Sequence, residues 1–260
     1  MTIYQVDSFT EKPFAGNPAG VCILDKAADE RWMQNVAMEM NLAETAFLYP
    51  VADGYNLRWF TPTVEVDLCG HATLASAHML FELGKLKSDE EARFHSKSGL
   101  LTAKKQGDWI EMDFPATPAV QLPAPDGLIA ALGVEAIWVG QSKFDLLVEV
   151  ASEAEVRGLS PNTSALKSLG GRGVIVTSQA STPGYDFVSR FFAPCAGVDE
   201  DPVTGSAHCT LAPYWEPKLG KSEMIGYQAS RRGGVVRVRR VGDRVMLGGQ
   251  AVTVMRGELS

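Results

Sequence analysis

The sequence predicts an α+β protein of two similar domains, each a mixed sheet rolled around a central buried helix. Three observations carry this expectation. The chain repeats itself once, each copy holds one helix that is apolar on every side, and a proline-rich segment separates the copies. The first copy contains Arg58-Trp59-Phe60-Thr61-Pro62, then Val66-Asp67, then Gly70-His71-Ala72. The second contains Arg190-Phe191-Phe192-Ala193-Pro194, then Val198-Asp199, then Gly205-Ser206-Ala207. Ser96-Lys97 follows Gly70 at nearly the distance at which Ser230-Arg231 follows Gly205, and each copy then reaches a Gly-Asp turn, at Gly107-Asp108 and at Gly242-Asp243. A fixed order of motifs at matching spacing is the mark of a duplicated unit, and a Gly-Asp pair between apolar runs is a hairpin signal.

Within the first copy, strands are expected over Thr2 to Phe9, Gly20 to Leu24, Thr45 to Tyr49 and Tyr55 to Phe60. Three more are expected over Arg93 to Ser96, Leu100 to Lys105 and Trp109 to Phe114. A helix runs from about Asp29, a good N-cap residue, to Met40. A second runs from about His71 to Leu83, with Gly84 suited to the left-handed position just past its end. In that second helix small and apolar residues occur on all sides, which marks a buried helix. The segment Pro115 to Pro125 holds four prolines, which resist helix and sheet interior alike. The domains expected are therefore 1–116 and 117–260, the second copy beginning near Gln121. Pro213 and Pro217 predict that the buried helix of the second copy is cut short.

Hydrophobic residues make up 45% of the chain and charged residues 21%, with a net charge of -7. Those values describe a folded domain and give no electrostatic footprint for nucleic acid or an anionic membrane. The arginines Arg231, Arg232, Arg237, Arg239 and Arg240 alternate in part with valines and read as the solvated face of a strand. The N-terminus lacks the pattern of a secretory signal, no apolar run is long enough to span a bilayer, and Cys22, Cys69, Cys195 and Cys209 have no CxxC spacing. A cytoplasmic protein with reduced thiols is expected.

For chemistry, Gly70 and Gly205 each open a buried helix, and a helix start offers free N–H groups and partial positive charge to an anion. Two such starts facing a cleft between the domains would hold a carboxylate. Glu44 lies at the entry to an apolar strand, where burial would favour proton transfer over a surface role. Asp199, Glu200 and Asp201 precede the second helix start, and Pro202 holds Asp201 extended. His71 stands at the first helix start, whereas His78, His95 and His208 read as structural. Cys69, at a helix N-terminus, could act as a base. The spacings of Cys69, His71, His208 and Cys209 match no standard zinc site, and no nucleotide-binding glycine motif occurs, so neither metal nor cofactor is expected.

Phe14-Ala15-Gly16-Asn17-Pro18-Ala19-Gly20, Asn41 to Phe47, Cys69-Gly70-His71-Ala72-Thr73 and Asp201-Pro202-Val203-Thr204-Gly205-Ser206-Ala207 together resemble the signatures of the PhzF, or phenazine-biosynthesis-like, family, in the family's order. That resemblance implies the diaminopimelate epimerase fold, in which two similar domains each wrap a sheet around a helix. It implies a cofactor-independent isomerase, typically a homodimer, in which a glutamate matching Glu44 moves a proton between carbons. His71 and Asp201 match residues that line the site, with Gly70, Gly205, Ser206 and Asn17 expected at the substrate. Racemases of the superfamily place a cysteine before each helix glycine. Here Thr204 replaces one, which favours a single carboxylate over two thiols. The expected function is proton transfer on a small unsaturated or cyclic carboxylic acid by Glu44. An amino-acid epimerase using Cys69 and a non-catalytic small-molecule binder are the alternatives.

Overall fold

The computed structural model describes residues 1–260. The first half forms β1 (Thr2–Ser8), β2 (Asn17–Ile23), α1 (Glu30–Met40), β3 (Glu44–Val51), β4 (Gly54–Phe60), β5 (Glu65–Val66), α2 (Gly70–Glu82), β6 (Glu91–Ser96), β7 (Gly99–Gln106) and β8 (Trp109–Pro115). Then follow β9 (Val120–Gln121), α3 (Leu128–Leu132), β10 (Trp138–Gln141), β11 (Asp145–Glu149), α4 (Glu153–Gly158), α5 (Thr163–Ser168), β12 (Gly173–Gln179) and β13 (Phe187–Phe192). A 3-10 turn over Pro194–Ala196 leads to α6 (Gly205–Leu219), β14 (Glu223–Gln228), β15 (Gly234–Val241), β16 (Arg244–Gly249) and β17 (Ala251–Glu258).

The two copies are wired alike. In the first, β1 and β2 are antiparallel, β2 and β3 parallel, β3 and β4 antiparallel, β4 and β6 parallel, and β6 and β7 antiparallel. In the second, β10 and β11, β11 and β12, β12 and β13, β13 and β14, and β14 and β15 follow the same alternation. A parallel pair cannot be joined by a hairpin and needs a crossover. α1 and α2 supply the crossovers of the first copy. The short α4 and α5 and the long α6 supply those of the second.

Local signals fix these elements. The Asp29 carboxylate accepts from Trp32 N–H at 3.0 Å and so caps α1, and Asn41 ends the helix in the left-handed conformation at φ 51. Met33, Val36 and Ala37 turn the apolar face of α1 onto Phe47 and Phe60. Burying each larger side chain there is worth roughly 1.5–3 kcal/mol. α2 is buried from His71 to Ala77 and again at Met79 and Leu80, packed on β1, β2, β3 and β17. Its buried hydroxyls are satisfied within the helix: Thr73 Oγ1 donates to the Cys69 carbonyl at 2.6 Å, and Ser76 Oγ to that of Ala72 at 2.7 Å. Gly84, at φ +65, follows the end as the sequence predicts. On β15, Val236 and Val238 are buried while Arg237 and Arg240 point to solvent.

Two expectations are corrected. The first concerns the boundaries. The compact units are Met1–Asp113 with Gly248–Ser260, and Phe114–Leu247, rather than 1–116 and 117–260. The last strand returns to the first unit, where β17 pairs antiparallel with β1 from Thr2↔Glu258 to Ser8↔Ala251. An uncovered edge strand exposes a row of unpaired backbone groups, and β17 covers that edge of β1. In the second unit β9, set between prolines, covers β10 in the same way.

The second concerns α6, which runs unbroken through Pro213 and Pro217 to Leu219. Proline removes the N–H that would serve the carbonyl four residues earlier. For Pro213 that carbonyl belongs to Cys209, and it accepts instead from Thr117 N–H at 3.0 Å. The Thr117 and Thr210 hydroxyls bond beside it at 2.9 Å. An outside donor thus replaces the missing bond, and the helix stays buried and continuous.

Candidate active site

In the first unit the site is built where β1, β2, β3 and the start of α2 meet. The turn between β1 and β2 holds Gly16 at φ +64, where a Cβ would lie 2.1 Å from the Ser8 carbonyl oxygen, so only glycine fits. Phe14, also at positive φ, donates its N–H to the buried carboxylate of Asp7 at 2.7 Å. This turn delivers Asn17, the first residue of β2, into the interior. Asn17 Nδ2 lies 3.2 Å from His71 Nδ1, and Cys69 Sγ lies 3.5 Å from the same nitrogen. Ser8 Oγ donates to the His71 carbonyl at 2.8 Å.

The turn after α1 places Glu44 as the first residue of β3, opposite Ala19 of β2. Glu44 therefore opens a strand. Its Oε2 lies 3.2 Å from His71 Nε2, close in distance though not aligned as a hydrogen bond. The two side chains differ in access: 7% exposed for His71 and 20% for Glu44. Burial pushes the His71 imidazolium down to about 4, so the ring is neutral near pH 7. Both neighbours of Nδ1, an amide NH2 and a thiol, are donors. Nδ1 is thereby assigned as the acceptor and Nε2 as the protonated nitrogen, facing Glu44. The result is a carboxylate in partial contact with solvent, backed by a fixed, uncharged N–H donor. Glu44, Cys69 and His71 also present donor atoms within 4.8 Å of one another, a grouping that could hold a cation.

In the second unit Gly205 opens α6 as Gly70 opens α2. Neither N-cap residue, Thr204 or Cys69, caps the backbone of its helix through its side chain, so the first N–H groups of both helices lack a side-chain cap. Asp201 accepts a hydrogen bond from Thr204 Oγ1, donates its N–H to the Phe191 carbonyl at 3.0 Å, and accepts at its own carbonyl from Gln228 Nε2 at 2.8 Å. Gln228 Oε1 takes the Thr204 N–H at 2.9 Å. Ser206 Oγ accepts from Arg172 Nη2 at 3.0 Å. Of the three acids before α6, Asp199 is exposed and Glu200 pairs with Arg190 at 2.6 Å.

Residues 6–257 match the family model of the phenazine biosynthesis-like proteins, PhzC-PhzF. The chain belongs to this family. An uncharacterized isomerase of Halalkalibacterium halodurans is 55% identical over 258 residues, covering 99% of this chain and 97% of that protein. A PhzF-family crystal structure from Enterococcus faecalis superposes with a TM-score of 0.96 at 42% identity, covering 100% of this chain and 98% of the other. A predicted epimerase of Pseudomonas aeruginosa, 23% identical over 99% of this chain and 98% of its own, has a TM-score of 0.78 and speaks for the fold alone. With isomerase relatives along its whole length, this PhzC-PhzF protein is an isomerase. No helix in it is long and apolar enough to cross a membrane.

The structure brings Asn17, Glu44, Cys69, Gly70 and His71 of the first unit together, and separately Asp201, Thr204, Gly205 and Ser206 of the second. The remaining histidines have structural partners. His78 meets Glu82 at 2.7 Å, His95 meets the Asp53 carbonyl at 2.7 Å, and buried His208 bonds through Nδ1 to the Thr204 carbonyl at 2.9 Å. Sequence reasoning missed Ser8 and Gln228, because a lone Ser or Gln gives no signal until a partner distant in the chain is known. It also missed Arg172 and Asp145. Asp145 is an acid at the mouth of the apolar run Leu146 to Val148, the same kind of signal that singled out Glu44.

Proposed function

We propose that the protein catalyses proton transfer between carbons of a small unsaturated or cyclic carboxylic acid, with Glu44 as general acid and base. The observation that carries this reading is the 3.2 Å approach of His71 Nε2 to Glu44 Oε2 at the start of a buried helix. Glu44 is the more open member of the pair, so it meets the substrate and takes the proton. His71 sits behind it as a neutral donor whose N–H orients the carboxylate and steadies its charge. Asn17 and Cys69 hold the imidazole from the other side. The N–H groups opening α2 suit substrate oxygens that gain charge in the enolate-like transition state, and in the second unit those opening α6, with the Ser206 hydroxyl, suit a carboxylate. Asp201, bonded to Thr204, is assigned an orienting role. In keeping with the family resemblance, a cytoplasmic homodimer is part of this reading, checked by light scattering.

The test is deuterium incorporation in heavy water. A panel of small unsaturated and cyclic carboxylic acids, dihydro-hydroxyanthranilate among them, is incubated with the wild-type protein and with Glu44→Gln and read by mass spectrometry. Exchange by wild type and none by the variant is expected. Full exchange by Glu44→Gln removes the assignment. A second reading, epimerisation with Cys69 as base, is favoured by the 3.5 Å contact of its thiol with His71 Nδ1. Loss of exchange in Cys69→Ser with Glu44 intact would shift the base to sulfur.

A further inference from the structure

Glu44 is the first residue of β3, Cys69 stands just before α2, and His71 is the second residue of that helix. A carboxylate, a thiol and an imidazole are the side chains that bind zinc. One donor atom from each lies within 4.8 Å of the other two. Around tetrahedral zinc, with bonds of about 2.0–2.3 Å, donor atoms stand roughly 3.3–3.6 Å apart. The two His71 nitrogens already sit near that spacing from their neighbours, Nδ1 at 3.5 Å from Cys69 Sγ and Nε2 at 3.2 Å from Glu44 Oε2. Closing all three donors on one nitrogen needs a shift of about 1 Å. Glu44, the more open member of the pair, can supply it.

His71 itself points to a ligand. It is 6% exposed, and its Nε2 is buried without a hydrogen-bond partner, which leaves that atom's desolvation uncompensated. The neutral ring carries the lone pair that a metal takes. With a metal on Nε2, Nδ1 becomes the donor, and the Asn17 amide 3.2 Å away can turn over to accept from it. A carboxylate and an imidazole suffice to move a proton. The thiol beside them makes the group a metal-binding set, and sulfur with imidazole favours zinc over magnesium or calcium. We propose that Glu44, Cys69 and His71 bind zinc(II) as an inhibiting ion, with Cys69 releasing its thiol proton to solvent. Three protein ligands leave a fourth position to water, as in open zinc sites. The ion would occupy the carboxylate oxygens of the general base, so the inhibition rests on the proton-transfer reading above, whereas the binding does not.

The site is tested by titrating the full-length, reduced protein with cobalt(II) chloride, a coloured stand-in for zinc. Saturation by a single ion is expected, with the visible bands of four-coordinate cobalt and the near-ultraviolet band of a cobalt–thiolate bond. Zinc chloride should bleach both. Cys69→Ser is expected to lose the thiolate band. Glu44→Gln should keep it but weaken the ion by at least the roughly tenfold to hundredfold that a lost outer-shell partner costs. Cys195→Ser, which removes the exposed thiol, should titrate as the wild type does. If Cys69→Ser does not fold, the other two variants decide. A thiolate band lost in Cys195→Ser, or an affinity unchanged in Glu44→Gln, overturns the proposal. So does a wild type that shows no such band up to about 1 mM cobalt. With an exchanging acid, an equivalent of zinc should stop deuterium exchange and a chelator should restore it, and exchange at full rate with zinc bound overturns the inhibition. A protein that binds cobalt through Cys69 but exchanges no deuterium with any acid keeps the metal site while losing the proton-transfer reading.

Discussion

The starts of α2 and α6 occupy matching places in the duplicated chain, yet they are equipped differently. At α2 the residue after the glycine is His71, buried and neutral, with a carboxylate 3.2 Å from its Nε2. At α6 it is Ser206, with a guanidinium 3.0 Å from its hydroxyl. The strand pairing is the same in both units, so the scaffold does not dictate the difference. In the proposed function, a few side chains on equivalent elements turn one helix start toward proton handling and the other toward anion recognition. Duplication supplies two polar helix ends, and substitution at the residue beside each glycine and at the strand next to it gives each a separate task.

The largest effect should come from the side that handles protons. Glu44→Gln is expected to lower kcat on the order of 10²- to 10⁴-fold, the range for a lost general acid–base group. The variant's thermal midpoint should stay close to wild type, because Glu44 is partly open. A fall in KM-linked binding with kcat preserved would make Glu44 a binding group and erase the contrast between the two ends.

The helices themselves differ next. α6 tolerates Pro213 because Thr117 supplies a donor to the orphaned Cys209 carbonyl. The matching residue of α2 is His78, and the matching carbonyl, that of Leu74, has no such donor from outside the helix. His78→Pro is therefore expected to cost about 3 kcal/mol or more in urea unfolding. Pro213→Ala should stay within about 1 kcal/mol of wild type. Equal costs for both would mean that the Thr117 bond does not explain the unbroken helix.

The two buried histidines part in the same manner. Both are held neutral by burial, each pushed from 6.5 down to about 4. Between those values the unfolded chain binds more protons than the native one, so stability is complete above about pH 6.5 and falls as pH drops toward 4. The loss should reach a few kcal/mol for each histidine, on the order of 7 kcal/mol for the pair. His208→Asn keeps a donor for the Thr204 carbonyl, and it should flatten the acid slope while leaving activity nearly intact. His71→Asn should flatten it and also reduce turnover. Equal activity in both variants would remove His71 from the site.

Much of this was legible in the residues alone. The repeat, the buried α2, the Asp29 cap and the Gly84 stop all rest on local chemistry, and the relevant side chains act within a turn of where they lie in the sequence. What escaped depends on partners far along the chain. Nothing in Ala251 to Glu258 says that it pairs with Thr2 to Ser8, since alternation marks a strand but not its neighbour. Pro213 reads as a helix breaker until Thr117 is known to stand beside Cys209. Glu44 was found because an acid at an apolar strand is conspicuous, and Asp145 carried the same mark but was passed over, as its partner Arg172 lies across a crossover.

The smallest predicted effect lies on the anion-recognising side, and it is the most discriminating. Ser206→Ala removes one neutral hydroxyl that accepts from Arg172 and faces the start of α6. Losing one such hydrogen bond is worth roughly 0.5–1.5 kcal/mol, so KM for an exchanged carboxylic acid should rise up to about tenfold with kcat little changed. Pairing it with Glu44→Gln separates the two ends by kinetic parameter: turnover belongs to α2 and ground-state binding to α6. If Ser206→Ala instead lowers kcat as strongly as KM rises, its hydroxyl acts on charge that develops during proton transfer. The start of α6 would then act in the transition state and not in ground-state binding alone.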